Sequence, residues 1–393
     1  MSDWMNVEAE YYMHVVRRQP IVLVRGQGTT VWDEAGKEYL DFTGGWAVNN
    51  IGHSHPAVVE AITKQAQTLM QTSNAYYTIP QLQLAQLLVD NSCLDKVFFC
   101  NSGAEANEGA IKLARKYGRL NKNGAYEIIT ALNSFHGRTL AMIAATGQPQ
   151  YQQNFQPLAP GFINVPYNDI EAIKAATSDK TCAVMVEPVQ GEGGVNVPSE
   201  SYHKDLRKWC DENGLVLIMD EVQTGMGRLG SLFGYEKFGI EPDIITLAKG
   251  LGNGVPIGAF MSNLRTSVFE PGDHGSTFGG NVLTCAAAYA AARVIVDENV
   301  PQQAQATGEY LSGGLDNLKS RHSNIREVRG MGLLRAIEFT EDLSPVVVAA
   351  ANKEGVLLNG VRPNAVRMMP PLTITKEEID TGVARIEAAL QKI

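Results

Sequence analysis

From residue 97 to residue 248 the chain repeats one pattern, a short run apolar at nearly every position followed by a stretch with helical spacing. The runs are 97–100, 128–132, 182–186, 216–219 and 244–248. Strict alternation of apolar and polar positions would mark strands with one wet face. Unbroken runs mark strands covered by helices on both sides, as in a mostly parallel sheet. Upstream, residues 29–32 and 39–42 are strand-like and are joined by Asp33, Glu34, Ala35 and Gly36, which predicts a hairpin. A helix is expected from about Pro56, with Val58, Ile62, Ala66 and Leu69 on one side. From about Ala286 the pattern becomes a long Ala-rich helix, strand candidates at 333–339 and 356–358, and an amphipathic terminal helix, 376–390. The expected class is α/β, with a large domain over residues 56–285 and a smaller α+β domain drawn from both termini, 1–55 and 286–393. The chain has no internal repeat and no low-complexity linker.

Composition narrows the partners. With 393 residues, 44% of them hydrophobic, the chain can bury a large core. Its net charge of -9 gives no electrostatic footprint for phosphodiester backbones or anionic lipid, so neither nucleic acid nor a membrane is an expected partner. No stretch approaches the roughly 20 apolar residues of a membrane span, and residues 1–20 carry Asp3, Glu8, Glu10, Arg17 and Arg18 in place of a signal's apolar core. Cys93, Cys100, Cys182, Cys210 and Cys285 are scattered, without a C-x-x-C pair. They read as buried thiols of a reducing compartment, and the expected location is the cytoplasm.

In open parallel sheets, ligands sit beyond the carboxyl ends of the strands. Three such ends carry unusual residues. After 97–100 comes Asn101-Ser102-Gly103-Ala104-Glu105, where a strand stops and a helix opens with capping-box spacing between Ser102 and Glu105. That arrangement serves as a plain cap or as a phosphate seat, because free N-H groups, a hydroxyl and a side-chain-free glycine suit an anion. Asp220 ends 216–219, and Lys249 ends 244–248 ahead of the glycine-bearing run 250–254. A lysine finishing an apolar strand is partly desolvated, which lowers its pKa and makes its amine nucleophilic. An aspartate on a neighbouring strand would stand opposite it. A carboxylate facing a ring nitrogen, an imine-forming amine and a helix-start phosphate site are together what pyridoxal phosphate requires. No G-x-G-x-x-G spacing, P-loop or G-x-S-x-G elbow supports another chemistry. His53 and His55 lie two apart without a carboxylate or thiol cluster, and a turn or hydrogen-bonding role is expected for them; no metal site is.

The stretches 217–225 (LIMDEVQTG) and 242–258 (PDIITLAKGLGNGVPIG) resemble the signature of class III, subgroup II, aminotransferases. Further matches are 44–56 (GGWAVNNIGHSHP), 99–115 (FCNSGAEANEGAIKLAR), 134–139 (SFHGRT), 187–194 (EPVQGEGG) and 275–281 (GSTFGGN). The resemblance implies a fold-type I pyridoxal-phosphate enzyme with a mostly parallel, seven-stranded sheet. It implies Lys249 as the imine lysine, Asp220 at the ring nitrogen and Gln223 at the ring hydroxyl oxygen. Ser102, Gly103 and Ala104 would hold the phosphate, Phe135 would stack on the ring, and Thr277 would reach the site of the neighbouring subunit in a homodimer. Arg138 resembles the arginine that pairs with a substrate carboxylate, Arg367 a second such arginine and Glu192 its gate. The implied substrates are small amino acids and 2-oxo acids: an ω-amino donor, N2-acetyl-L-ornithine first, and 2-oxoglutarate as acceptor. Ornithine, 4-aminobutyrate, succinyl-diaminopimelate and acyl-lysine are the other donors, and a pyridoxal-phosphate aminomutase is the alternative reaction. The sequence departs from the family pattern at Trp46, Asn253, Val282 and Thr284, of which Trp46 bears on the acyl preference.

Overall fold

The structure, a computed structural model, describes residues 3–393. Its strands, β1 to β15 in chain order, form three sheets. The first contains β1 (Leu23–Gln27), β2 (Thr30–Asp33) and β3 (Glu38–Asp41), an antiparallel meander whose β2–β3 turn is the expected hairpin. The large sheet contains β4 (Lys96–Cys100), β5 (Glu127–Ala131), β6 (Phe162–Val165), β7 (Thr181–Val186), β8 (Val216–Asp220), β9 (Ile244–Leu247) and β10 (Gly258–Ser262). The third sheet holds β11 (Ile325–Met331), β12 (Leu334–Phe339), β14 (Asn359–Arg362) and β15 (Ala365–Met368). The short β13 (Val356–Leu357) instead joins the first sheet beside β3, bringing distant parts of the chain into one ladder.

The large sheet runs in the order β4-β10-β9-β8-β7-β5-β6. Six of its strands share one direction, and β10 alone runs against them. β7 and β8 are buried at every position, which is why all but the end residues Thr181 and Asp220 are apolar, rather than alternate residues only. One consequence governs the site. The carboxyl ends of β4, β5, β7, β8 and β9 and the amino end of β10 all open on the same rim.

β8 and β9 are adjacent and parallel, with Asp220 opposite Thr246. Lys249 therefore leaves its strand a few residues beyond the level of Asp220, on the neighbouring ladder. The Ala-rich helix begins at Val282, ahead of the expected Ala286, because the Asn281 side chain accepts from Thr284 N at 2.9 Å and caps it there. β6 and β10 were not expected from the pattern. Asn164 interrupts the first, and the second follows Pro256 so closely that it reads as a loop. The terminal helix, Lys376–Leu390, lies where the amphipathic pattern puts it and opens with a complete capping box between Thr375 and Glu378.

Candidate active site

A cavity of about 460 Å³ sits at this rim, the size of a small-molecule site. Each adjoining strand end contributes to its wall: β4 gives Ser102, Gly103 and Ala104, β5 gives Phe135, His136 and Arg138, and β7 gives Glu187 and Glu192. β8 gives Asp220 and Gln223, and β9 gives Lys249. Nine of the residues singled out from sequence therefore meet in one space. Arg367 stands just behind the wall, reached through Gln223 and Glu192. Thr277 lies away from the cavity, exposed on the surface.

The helix Gly103–Asn121 starts at the rim with Ser102 as its cap, its hydroxyl accepting from Glu105 N at 3.2 Å. The capping box is only half formed, since the Glu105 carboxylate turns to Asn101 N at 2.7 Å. Gly103 N and Ala104 N are left without intrahelical partners in a turn that lines the cavity, an arrangement suited to an anion. A side chain at position 103 would put Cβ 2.9 Å from Val222 Cγ1, so glycine is what lets this turn approach β8.

Asp220 is buried, and donors converge on its carboxylate: His136 Nδ1 at 2.7 Å, Asn107 Nδ2 at 2.8 Å and Val222 N at 3.0 Å. His136 and Asn107 were missed in the sequence reading because their partner is more than eighty residues away. Both lie inside recognisable motifs, which was the available signal. Glu187 was missed as well. Burial, and then the charge of Asp220, push its carboxyl well above the usual range.

Lys249 has a left-handed backbone, φ 44°, uncommon for a side-chain-bearing residue and a mark of a constrained functional position. Burial lowers its pKa below the ordinary 10.5; Glu192 opposes this and Arg367 reinforces it. In cofactor-free protein the rate at which added pyridoxal phosphate develops colour should therefore rise with pH and level off below 10.5. A rate still climbing through that value would contradict the burial argument. Asn253, where the family pattern has glycine, also adopts a left-handed φ of 44°, which asparagine tolerates, and its side chain bonds Ile51 N at 2.9 Å and Gly52 O at 3.0 Å.

Arg367 is fully buried and pairs with Glu192 at 2.7 Å. Its guanidinium also donates to Gln223 Oε1 at 3.0 Å and to Asn359 Oδ1 at 2.7 Å. Burial alone would raise the Glu192 carboxyl, but Arg367 and then Lys249 outweigh it and hold it below its usual value. Arg138 is exposed at the mouth, its guanidinium 3.8 Å from the Tyr151 ring centroid and 5.3 Å from that of Phe135. His53 makes the hydrogen bond expected of it, to Asp41 Oδ2 at 2.8 Å.

A strand-end lysine, a buried carboxylate on the next ladder and a helix-start anion seat beside them define a pyridoxal-phosphate transferase. The family model for class III aminotransferases matches residues 11–390, and the chain belongs to that family. It is 51% identical to an acetylornithine aminotransferase of Caldanaerobacter subterraneus, over 99% of both chains. Among solved structures it resembles the ornithine aminotransferase of Toxoplasma gondii, which was seen with partial occupancy of pyridoxal phosphate at its active site. The TM-score is 0.95 at 35% identity, covering all of this chain and 94% of that one. It also resembles the acetylornithine aminotransferase of Elizabethkingia anophelis, with a TM-score of 0.89 at 36% identity over 99% and 98% of the two chains. The protein is thus a pyridoxal-phosphate-dependent transaminase.

Proposed function

We propose that the protein transfers the terminal amino group of N2-acetyl-L-ornithine to 2-oxoglutarate, giving N-acetylglutamate 5-semialdehyde and L-glutamate. The observation that carries this reading is the buried Arg367 paired with a cavity-facing Glu192, with a second arginine, Arg138, at the mouth. Such a site can take a donor bearing one carboxylate through Arg138 while Glu192 occupies Arg367. It can then take the dicarboxylate acceptor once Glu192 turns aside. Full-length relatives named for acetylornithine make that donor the first choice.

The cavity's residues fit the cofactor. Gly103 N, Ala104 N and the Ser102 hydroxyl are placed for its phosphate, Phe135 for its ring face, Asp220 for its ring nitrogen and Gln223 for its hydroxyl. When bound, pyridoxal phosphate supplies an aldehyde that accepts the amino group and a ring that draws electrons from the reacting carbon. Lys249 would hold it through Nζ, and once displaced by the donor's amine that Nζ would serve as the base and acid that moves the proton between the amino-bearing substrate carbon and the cofactor's former aldehyde carbon. His136 and Asn107 hold the Asp220 carboxylate in place throughout. Arg138 and Arg367 fix the substrate by its carboxylates, a bidentate task for which guanidinium is suited.

We place the enzyme in the cytoplasm as a homodimer. Thr277 is exposed, next to Phe278 at 61% exposure, and its loop is tied to the 70–82 stretch by Gln71 Nε2 on Thr277 O at 2.5 Å. That stretch exposes Met70, Tyr76, Tyr77, Ile79 and Leu82, an apolar surface of the kind a second copy covers. Among the described residues no helix is long and apolar enough to cross a membrane. For the domains, the helix Val282–Asp297 runs through the boundary at 285/286 and lies against the Pro56–Thr68 and Ile79–Asp90 helices, so we draw the large domain on to Asp297.

The test is a panel of ω-amines mixed with the yellow holoenzyme, following conversion to the pyridoxamine form. N2-acetyl-L-ornithine should react fastest, and glutamate should form only when 2-oxoglutarate is added. A faster reaction with ornithine, 4-aminobutyrate or an acyl-lysine would reassign the donor. Turnover without any acceptor would make the protein an aminomutase.

A further inference from the structure

Arg228 is wholly buried, yet no carboxylate pairs with it among the described residues. Its Nη1 donates to Leu333 O at 3.0 Å and to Pro370 O at 2.6 Å, and its Nη2 to Asn50 Oδ1 at 2.7 Å. Its Nε has no acceptor. Burial pushes its pKa down to about 9. A cation held in the interior without a counter-ion is costly, and an apolar side chain of similar volume would avoid that cost. What the guanidinium supplies is geometry, because its acceptors belong to separate parts of the chain.

Leu333 leads into β12, and Pro370 follows β15, the strand that carries Arg367. Leu333 N in turn donates to Arg228 O at 3.0 Å, so the contact with β12 is reciprocal. Asn50 extends the network: its Nδ2 donates to Met226 O at 2.9 Å, and its backbone O accepts from Leu372 N at 2.6 Å. The same side chain abuts Gly250, beside Lys249, so closely that a Cβ there would lie 2.2 Å from Asn50 Nδ2. Arg228 thus ties the turn after β8 to the sheet that bears Arg367, with Asn50 reaching on to the Lys249 loop.

Outside its own sheet the Arg367 side chain holds only Glu192 and Gln223, and the first of these contacts is not permanent. In the two-arginine reading, the bond to Glu192 opens each time the dicarboxylate enters. The acceptors of Arg228 are backbone carbonyls and one amide, none of them on the cavity wall, and they need not open. We propose that Arg228 is a positioning residue for the second carboxylate site, holding Arg367 at the distance at which a five-carbon dicarboxylate spans it and Arg138. This rests on the two-arginine reading given above and adds to it a residue that touches neither substrate nor cofactor.

The test uses the holoenzyme and two ligands of equal chain length, glutarate with two carboxylates and valerate with one, titrated through the cofactor's absorbance. Arg228→Lys and Arg228→Met should weaken glutarate by about ten- to a hundredfold, the effect expected of a misplacement on the ångström scale. Valerate affinity should stay within about twofold of wild type. Asn50→Ala, which removes one acceptor and leaves the guanidinium, should shift glutarate in the same direction by a smaller factor and guards against a variant that fails to fold. Equal weakening of both ligands would mean a general loss of structure and overturns the proposal, as does unchanged glutarate binding. A wild-type enzyme that binds glutarate no tighter than valerate removes the two-arginine reading, and the proposal with it. Failure of N2-acetyl-L-ornithine in the amine panel, with the glutarate preference intact, changes the donor alone.

Discussion

Lys249→Ala is expected to abolish the yellow colour of the purified protein and to lower turnover by at least about 10⁴-fold, since in the proposed site one side chain both attaches the cofactor and moves the proton. Absorbance and single-turnover kinetics on the same preparation check this. The structure limits the alternatives, because within the cavity wall no second lysine stands by to take over. The substitution also removes a partly buried amine without leaving a buried acid unpaired, as Glu192 keeps Arg367 at 2.7 Å. The fold should therefore survive, and a melting curve near that of wild type would separate lost chemistry from lost structure. Retained turnover would sink the assignment of position 249.

Asp220→Asn should behave differently. The shape is kept and Lys249 can still attach the cofactor, so the colour should remain. The negative charge that the proposed site sets opposite the ring nitrogen is gone, and the half-reaction with the amine donor should slow by about 10²–10³-fold, the range seen when one preorganised electrostatic partner is removed. The new amide must also meet His136 Nδ1 and Asn107 Nδ2, both of which contact the carboxylate now. Stopped-flow absorbance measures the rate. A variant that reacts at the wild-type rate would show that the charge at position 220 has no part in drawing electrons from the substrate.

These two residues were legible in the sequence for a definite reason. A polar residue that closes an unbroken apolar run is placed by the strand itself, and parallel pairing of β8 with β9 then brings the two ends together. The helix start at Ser102 was legible in the same way, through its cap. What could not be read from the chain was whatever depends on approach through space. His136 and Asn107 act on Asp220 across gaps in sequence that no spacing rule covers, whereas Asn359 meets Arg367 through the pairing of β14 with β15, strands that the apolar pattern did not mark. Glu187 looks like any acidic residue after a strand until its burial beside Asp220 is seen. Arg228 is similarly silent, since an arginine in a glycine-bearing turn gives no hint that it will be enclosed. β10 was hidden because its antiparallel run interrupts the parallel pattern, and its amino end supplies Pro256 and Ile257 to the cavity wall.

The ion pair behind the cavity is lopsided: the Arg367 side chain is 0% exposed and that of Glu192 is 30% exposed. Only one of the two can leave at small cost. Glutamate can swing its charge into water, whereas the guanidinium is enclosed and would have to break its hydrogen bonds to Asn359 and Gln223 as well. In the proposed two-arginine scheme the acid is therefore the moving half and the base a fixed socket. On that proposal, any molecule that works this latch must bring an anion of its own to fill the socket, so uncharged analogues of the acceptor are expected to meet a door that stays shut.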